Sequence, residues 1–388
     1  MRTLTFFAVN VFCYFRKLLT AKVAKKIRKG REGIFAAISK IMLRSLKRSS
    51  LKLLKGCGVL AYVKNSRWRQ SRLLILCYHG ISQKDEHEWR PNLYMPVAQL
   101  AQRLQMLKSS GCAILPLGEA IRRLYGNDLP PRSVVLTFDD GCCDFYRQAY
   151  PLIKSYGFPV TVYQSTYYVD DQKPVFNLIC SYMLWKCRGK VLQPDKELGI
   201  TQTQDLAAEA GRRSIVRQLM SSSAERNLTG TEKNDLAERL AALLGMDFSA
   251  LVSSRLLQLM NASEIAELSQ EGVDFQLHTH RHRVPDDQAS FQKEIRDNRK
   301  RLLEITGHSP VHFCYPQGHY KPQFLPWLAE EGVISATTCD SDLASTESDS
   351  LLLPRFVDTT FATSIEFDSW LSGIASVMPR LPHSGEIR

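Results

Sequence analysis

Acid is nearly absent from the first 72 residues, where Glu32 stands alone among 19 of the chain's 51 lysines and arginines. The formal charge of +12 therefore belongs to this arm, and the remainder of the 388-residue chain is mildly acidic. No long apolar run is present either. The longest, Leu4 to Phe15, has twelve residues, short of the ~20 that a helix needs to span a bilayer. No small-x-small cleavage pattern follows it, and Arg16, Lys17, Lys22, Lys25 and Lys26 come at once, so export is not expected. The ten cysteines include no C-x-x-C pair, which excludes zinc ribbons and dithiol redox motifs and suits reduced, small core residues. Internal repeats and low-complexity tracts are also missing.

What is present in the arm, residues 1–72, is a basic amphipathic pattern. Ile34, Phe35, Ile38, Ile41 and Met42 share one helical face and Lys40, Arg44, Lys47, Arg48 and Lys55 another, with Lys52 out of place. Such a helix either lies on an anionic membrane surface or packs on the domain behind it, and both readings stand. Nucleic acid is disfavoured as a partner because no recognised binding module accompanies the charge. The expected location is cytoplasmic, peripheral on the inner face of the membrane.

From residue 73 short apolar runs alternate with helical patterns, the mark of an α/β fold with a parallel sheet. The runs are "LLILCYHGI", "CAILPL", "SVVLTFD", "PVTVYQS", "VDFQLHT", "PVHFCYP", "ISATTC" and "LLLPRFV". They predict a distorted (β/α) barrel of seven to eight parallel strands over 73–380. Residues 166–272 are too long for one crossover and predict a helical insertion over the barrel mouth. Within it, Thr231 is expected to cap a helix striped by Leu236, Leu240, Leu243 and Leu244 and ended by Gly245. Another helix is expected over 290–306.

The run "SVVLTF" ends in Asp139, Asp140 and Gly141, at what this pattern makes the third strand. In βα barrels the C-terminal strand ends hold the chemistry. Alternation sends adjacent side chains to opposite faces, so two neighbouring acids are expected to have different tasks. Alone, "DDG" reads as a solvated turn. Six of nine histidines, however, fall between His278 and His319, and "HTHRH" ends the expected fifth strand. His278 and His282 can converge on one ion while His280 points elsewhere. Two histidines and a carboxylate form a triad that leaves coordination positions open.

"TFDDG", "HTHRH" and "FCYPQG", in that order, resemble the motifs of the polysaccharide deacetylases, carbohydrate esterases with a NodB-homology domain. "LCYHGIS" and "YGFPVTVYQS" are similar to a branch of that family whose barrel starts with a Tyr-His strand. The resemblance implies a hydrolase of carbon-nitrogen bonds other than peptide bonds, acting on N-acetyl or similar N-acyl groups of an amino-sugar glycan. Carried onto this chain, it implies that Asp140, His278 and His282 hold a divalent metal, zinc before cobalt, nickel, iron or manganese. Asp139 becomes the general base. The loop Tyr315, Pro316, Gln317 and Gly318 supplies a backbone N–H, that of Gln317, to the oxyanion.

Two departures from the family pattern matter. The arginine that opens the commoner third motif is Cys314 here, and Arg355 in "LPRF" is the candidate for orienting the base from elsewhere. The usual Leu-x-His acid motif is absent, which leaves His79 in "CYHG" as the candidate general acid and His319 as the reserve. His308 and His312 read as surface or strand-packing residues. These departures sustain an alternative: a catalytically inactive barrel serving as a membrane-surface scaffold for glycan assembly.

Overall fold

The computed structural model describes residues 32–378, with side chains from residue 42 onward. The Leu4–Phe15 run therefore lies outside the described residues, and of the apolar face expected at Ile34, Phe35, Ile38, Ile41 and Met42 only the Met42 side chain is described. Seven parallel strands form the main sheet: β1 (Leu74–Tyr78), β2 (Val134–Phe138), β3 (Thr161–Gln164), β4 (Asp274–Leu277), β5 (His312–Cys314), β6 (Ser335–Thr337) and β7 (Phe356–Val357). They are ordered β6-β5-β4-β3-β2-β1-β7. The ring closes through the last segment, which changes partners within a few residues. Leu353 bridges Thr337 of β6, and Phe356 then pairs with Leu76 of β1. Pro354 and Arg355 lie at that switch. The expected parallel barrel is what the chain forms.

One of the eight expected strands is missing. "CAILPL" makes a single bridge, Ile114 to Val134, and by Leu117 the chain has entered the helix Leu117–Tyr125. Pro116 ends the extended run and starts the helix, where a proline's missing N–H costs nothing. The acid pair consequently closes the second barrel strand and "HTHRH" the fourth.

Alternation along the strands builds two layers. Leu74, Leu76 and Tyr78 with Val134, Leu136 and Phe138 face outward into a core shared with Leu100, Leu104, Ile153, Ile265 and Phe367 of surrounding helices. The inner row of Leu73, Ile75, Val135 and Tyr163 packs against Leu117, Ile121 and Leu124, so the helix Leu117–Tyr125 plugs the barrel base. Continuing that row by twos brings Cys77, Thr137 and Asp139 into the interior near the C-terminal end. The inner lining is thus apolar at its base and charged at its mouth.

The helices Phe176–Lys186, Glu209–Glu225, Gly230–Leu244 and Phe248–Ser253 gather a second core around Ile179, Met183, Leu219, Leu240 and Phe248. The segment leaving it joins the acid loop, where Met260 N–H donates to the Gly141 carbonyl at 2.9 Å. The cap of the helix Gly230–Leu244 is Thr229, not Thr231. Thr229 forms a reciprocal box with Glu232, and the Thr231 hydroxyl accepts from Lys173 instead. Leu236, Leu240 and Leu244 are buried and Gly245 closes the helix in the left-handed conformation, as expected.

The C-terminal half of the helix Glu32–Gly56 docks on the helix Ser364–Ser372. Arg48 pairs with Glu366 at 3.2 Å, Lys55 with Asp368 at 2.7 Å, and Leu51 is fully buried beside Leu60 and Ile374. Among the described residues no helix is long and apolar enough to cross a membrane. Because Leu51 is part of the folded domain, Leu51→Ala should lower unfolding free energy by about 2–5 kcal/mol in a urea titration; an unchanged midpoint would mean that the arm merely rests on the surface.

Candidate metal centre and active site

β2 delivers Asp139 inward, and the backbone then turns sharply. Asp140 and Gly141 have φ of 70° and 78°, which breaks alternation and lets the two carboxylates separate. A Cβ on Gly141 would lie 1.9 Å from Gln164 Oε1, so only glycine permits that approach. The β4 loop uses the same device, with Thr279 at φ 59° and His282 at φ 54°. His280 is turned away, its Nδ1 2.9 Å from Thr166 Oγ1.

The turns bring His278 Nε2 and His282 Nε2 each to 3.2 Å from Asp140 Oδ1. Burial acts against charge on Asp140, but the His282 and His278 imidazoles hold its carboxyl well below the usual range. Burial works against the proton on His282 too, yet Asp140 outweighs it and raises that pKa. His278 Nδ1 lies 2.9 Å from the Cys314 carbonyl, which can only accept. Nδ1 therefore carries the hydrogen and Nε2 presents its lone pair to Asp140. Lone pairs facing one another across 3.2 Å require a proton or a cation between them, and one carboxylate with two imidazoles is a donor set that fits a divalent cation.

Two other clusters are close enough to hold an ion: Cys77, His79, Asp139 and Asp139, His278, Cys314. Both depend on Asp139, which is already engaged. Arg355, fully buried, donates Nη1–H to Asp139 Oδ1 at 2.7 Å and Nη2–H to Oδ2 at 2.8 Å. The Cys77 and Cys314 thiols donate to Oδ2 at 3.5 and 3.4 Å. Burial pushes both thiols well above their ordinary pKa, so they remain S–H donors and not thiolate ligands. Burial would raise the Asp139 pKa, but Arg355 more than offsets it and holds the group ionised. The acid pair is thus divided, one member neutralised by a guanidinium and the other facing imidazoles.

Arg355 comes from the switch between β6 and β1, with Nε–H donating to the Thr338 carbonyl at 2.9 Å. Its Nη2 lies 3.0 Å from Cys314 Sγ, beside the position where the commoner third motif has arginine. His79 Nε2 is 3.8 Å from Asp139 Oδ2 at the end of β1, and burial lowers its pKa. Gln317 has φ 58° in a tight turn over 316–318, where a Cβ on Gly318 would meet Cys339 Cβ at 2.8 Å. Tyr315 is buried and donates its hydroxyl to the Leu351 carbonyl at 3.1 Å, while Pro316 starts the turn. Of the other histidines, His312 is buried against Ser335, and His319 sits by Phe324.

Asn298 escaped sequence reasoning. It accepts from His278 N–H at 2.9 Å and donates to the Gln164 carbonyl at 2.9 Å and Thr166 Oγ1 at 3.0 Å, tying the β3 and β4 ends together. The signal was there: Asn298 lies on the stripe of Phe291, Ile295 and Leu302, a polar residue in an apolar row.

The family model described as polysaccharide deacetylase matches residues 126–191 and 242–334. YxkH of Bacillus subtilis strain 168, named after the same family, is 32% identical over 104 residues, which make up 26% of this chain and 34% of that protein. The poly-beta-1,6-N-acetyl-D-glucosamine N-deacetylase of Escherichia coli O157:H7 is 24% identical over 137 residues, 34% of this chain and 20% of that one. The matched part thus spans only about a third or less of these relatives' length. Among solved structures, the Streptococcus pyogenes deacetylase PplD in complex with acetate aligns with a TM-score of 0.52 at 20% identity, over 79% of this chain and 99% of that chain. That likeness extends to the fold.

Replacing Arg355 by Met leaves Asp139 buried without its cation and should cost about 3–5 kcal/mol of stability by denaturant titration. Adding Asp139→Asn should recover most of the loss, and no recovery would mean that packing, not charge, is what Arg355 supplies.

Proposed function

We propose that the chain is a hydrolase of the polysaccharide deacetylase kind that removes N-acetyl groups from amino sugars of a glycan, a reading supported by the family model's match to residues 126–191 and 242–334. The observation that carries this reading is the split of the acid pair: Asp140 faces the Nε2 atoms of two imidazoles, and Asp139 stands beside them ionised and held from behind by Arg355. A divalent cation held by Asp140, His278 and His282, zinc by preference, supplies polarisation of the amide carbonyl and acidification of water.

The chain's own groups perform the remaining work. Asp139 takes the proton of the attacking water on a carboxylate oxygen; the bidentate guanidinium fixes that carboxylate's plane and keeps it ionised. The Gln317 N–H is the donor we assign to the developing oxyanion. His79, 3.8 Å from Asp139, is the group we assign to pass the proton that Asp139 has taken from water on to the leaving amine as the C–N bond breaks, releasing acetate and a free amino sugar. The substrate class draws support from the Escherichia coli relative, whose name specifies an N-acetylglucosamine polymer. Nine of the arm's 19 basic residues precede residue 32. That excess, beyond what the docked helix uses, supports an anionic membrane surface on the cytoplasmic side as the place of action.

Purified protein loaded with zinc should release acetate from N-acetylglucosamine oligomers. Asp139→Asn should reduce the rate by about 10²–10⁴ while bound metal, read by elemental analysis, is retained. No release from the wild type under these conditions would favour a scaffold. In His79→Ala, turnover should fall with little change in KM, and unchanged turnover would remove His79 from the reaction. His278→Ala should lose the metal itself.

A further inference from the structure

We propose that a cavity at the N-terminal end of the barrel is a second glycan-holding site, shaped for one sugar unit. The cavity measures about 440 Å³, within the range of small-molecule pockets, and opens between the plug helix Leu117–Tyr125 and the starts of β5 and β6. His312, which lines it, precedes Cys314 by two residues, about 7 Å along the strand, and the cavity opens at the end of the barrel away from Asp139.

Two polar groups converge on it. His312 is only 4% exposed, and its Nδ1 lies 2.8 Å from Ser335 Oγ. Its Nε2 has no hydrogen-bond partner among the described residues and faces Gly118, where an added Cβ would sit 3.2 Å away and fill the space. Arg122 lines the opening, exposed and without an acidic partner among the described residues. Opposite them stand Ile121, Ile334 and the ring of Tyr125, which is fixed in place by its hydroxyl donating to the Ser348 carbonyl at 2.8 Å. Ile334 is 57% exposed, an isoleucine that the fold leaves uncovered.

An apolar wall facing a fork of donors and one imidazole nitrogen suits a ligand with a hydrophobic face and a hydroxylated edge. A hydroxyl both donates and accepts, so it satisfies Nε2 in either tautomer, and the Arg122 guanidinium offers donors to ring or acetyl oxygens. Burial opposes a charged His312, which leaves one cation and makes a neutral sugar a better match than a phosphate or carboxylate. The choice of a sugar rests on the deacetylase reading. A polymer anchored at the base and processed at the mouth gains effective concentration at the second site without any new contact.

The test is calorimetric titration of the full chain with an N-acetylglucosamine trimer, for wild type, Arg122→Ala and Ile334→Glu. Both side chains are exposed, so the fold should persist, which thermal unfolding checks. Wild type should show two binding events, one of which each variant weakens by about tenfold or more. Identical isotherms for all three proteins would overturn the proposal, as would competition by inorganic phosphate, which would mark the cavity as an anion site. Acetate release by the wild type is read separately. If variant-sensitive binding persists without acetate release, the enzymatic reading fails alone; if acetate is released but binding ignores the variants, this inference fails alone.

Discussion

The Arg355–Asp139 ion pair is the constraint around which the barrel interior is organised. Two charges removed from water cost more than their attraction returns unless the geometry is close and the remaining donors are satisfied. Here the fork is bidentate, the guanidinium also reaches the Thr338 carbonyl, and two thiols point at the same carboxylate. Arg355 occupies the residue at which the last segment leaves β6 for β1. The contact that neutralises Asp139 therefore also ties the closing segment to β2, and ring closure and site assembly depend on one interaction.

The ion pair also explains how adjacent carboxylates coexist. Like charges on neighbouring residues would normally force one to stay protonated. The left-handed turn at Asp140 sends the second carboxylate to a different electrostatic partner, the imidazoles of the β4 loop. Strained backbone at 140, 279, 282 and 317 gathers at this one end of the barrel, and the remaining structure must hold it there. Asn298 does part of that, since its three hydrogen bonds lock the end of β3 to the start of the β4 loop whose turns aim His278 and His282.

The barrel and the acid and histidine clusters were legible because their signals are local: alternating apolar runs, a doublet before glycine, and two histidines four residues apart. Features defined by distant partners were less so. Arg355 could be nominated from the vacancy at Cys314, but its 2.7 Å contact with Asp139 depends on a strand switch that no periodicity announces. "CAILPL" looked like a strand because a short apolar run fits several states, and Pro116 settled it as a helix start. Thr231 lost the cap to Thr229 because Glu232 can reciprocate only with a residue three positions before it.

The inner wall of the barrel also gives a reason for cysteine at position 314. Going up the row, Leu73, Ile75 and Val135 give way to Cys77, Thr137 and Cys314 before the charges begin. Thiols are small, tolerate burial as hydrophobes do, and still turn a weak S–H towards an oxygen, so they bridge an apolar base and an ionised mouth without an unsatisfied group. An arginine at 314 would bring a second guanidinium against a carboxylate that Arg355 already saturates, with Nη2 of Arg355 only 3.0 Å from the Cys314 sulfur. Two buried cations and one nearby anion would leave an uncompensated charge in the driest part of the molecule. Cysteine at 314 and arginine at 355 are thus physically one choice: the cation arrives from the closing segment, and the third motif makes room for it.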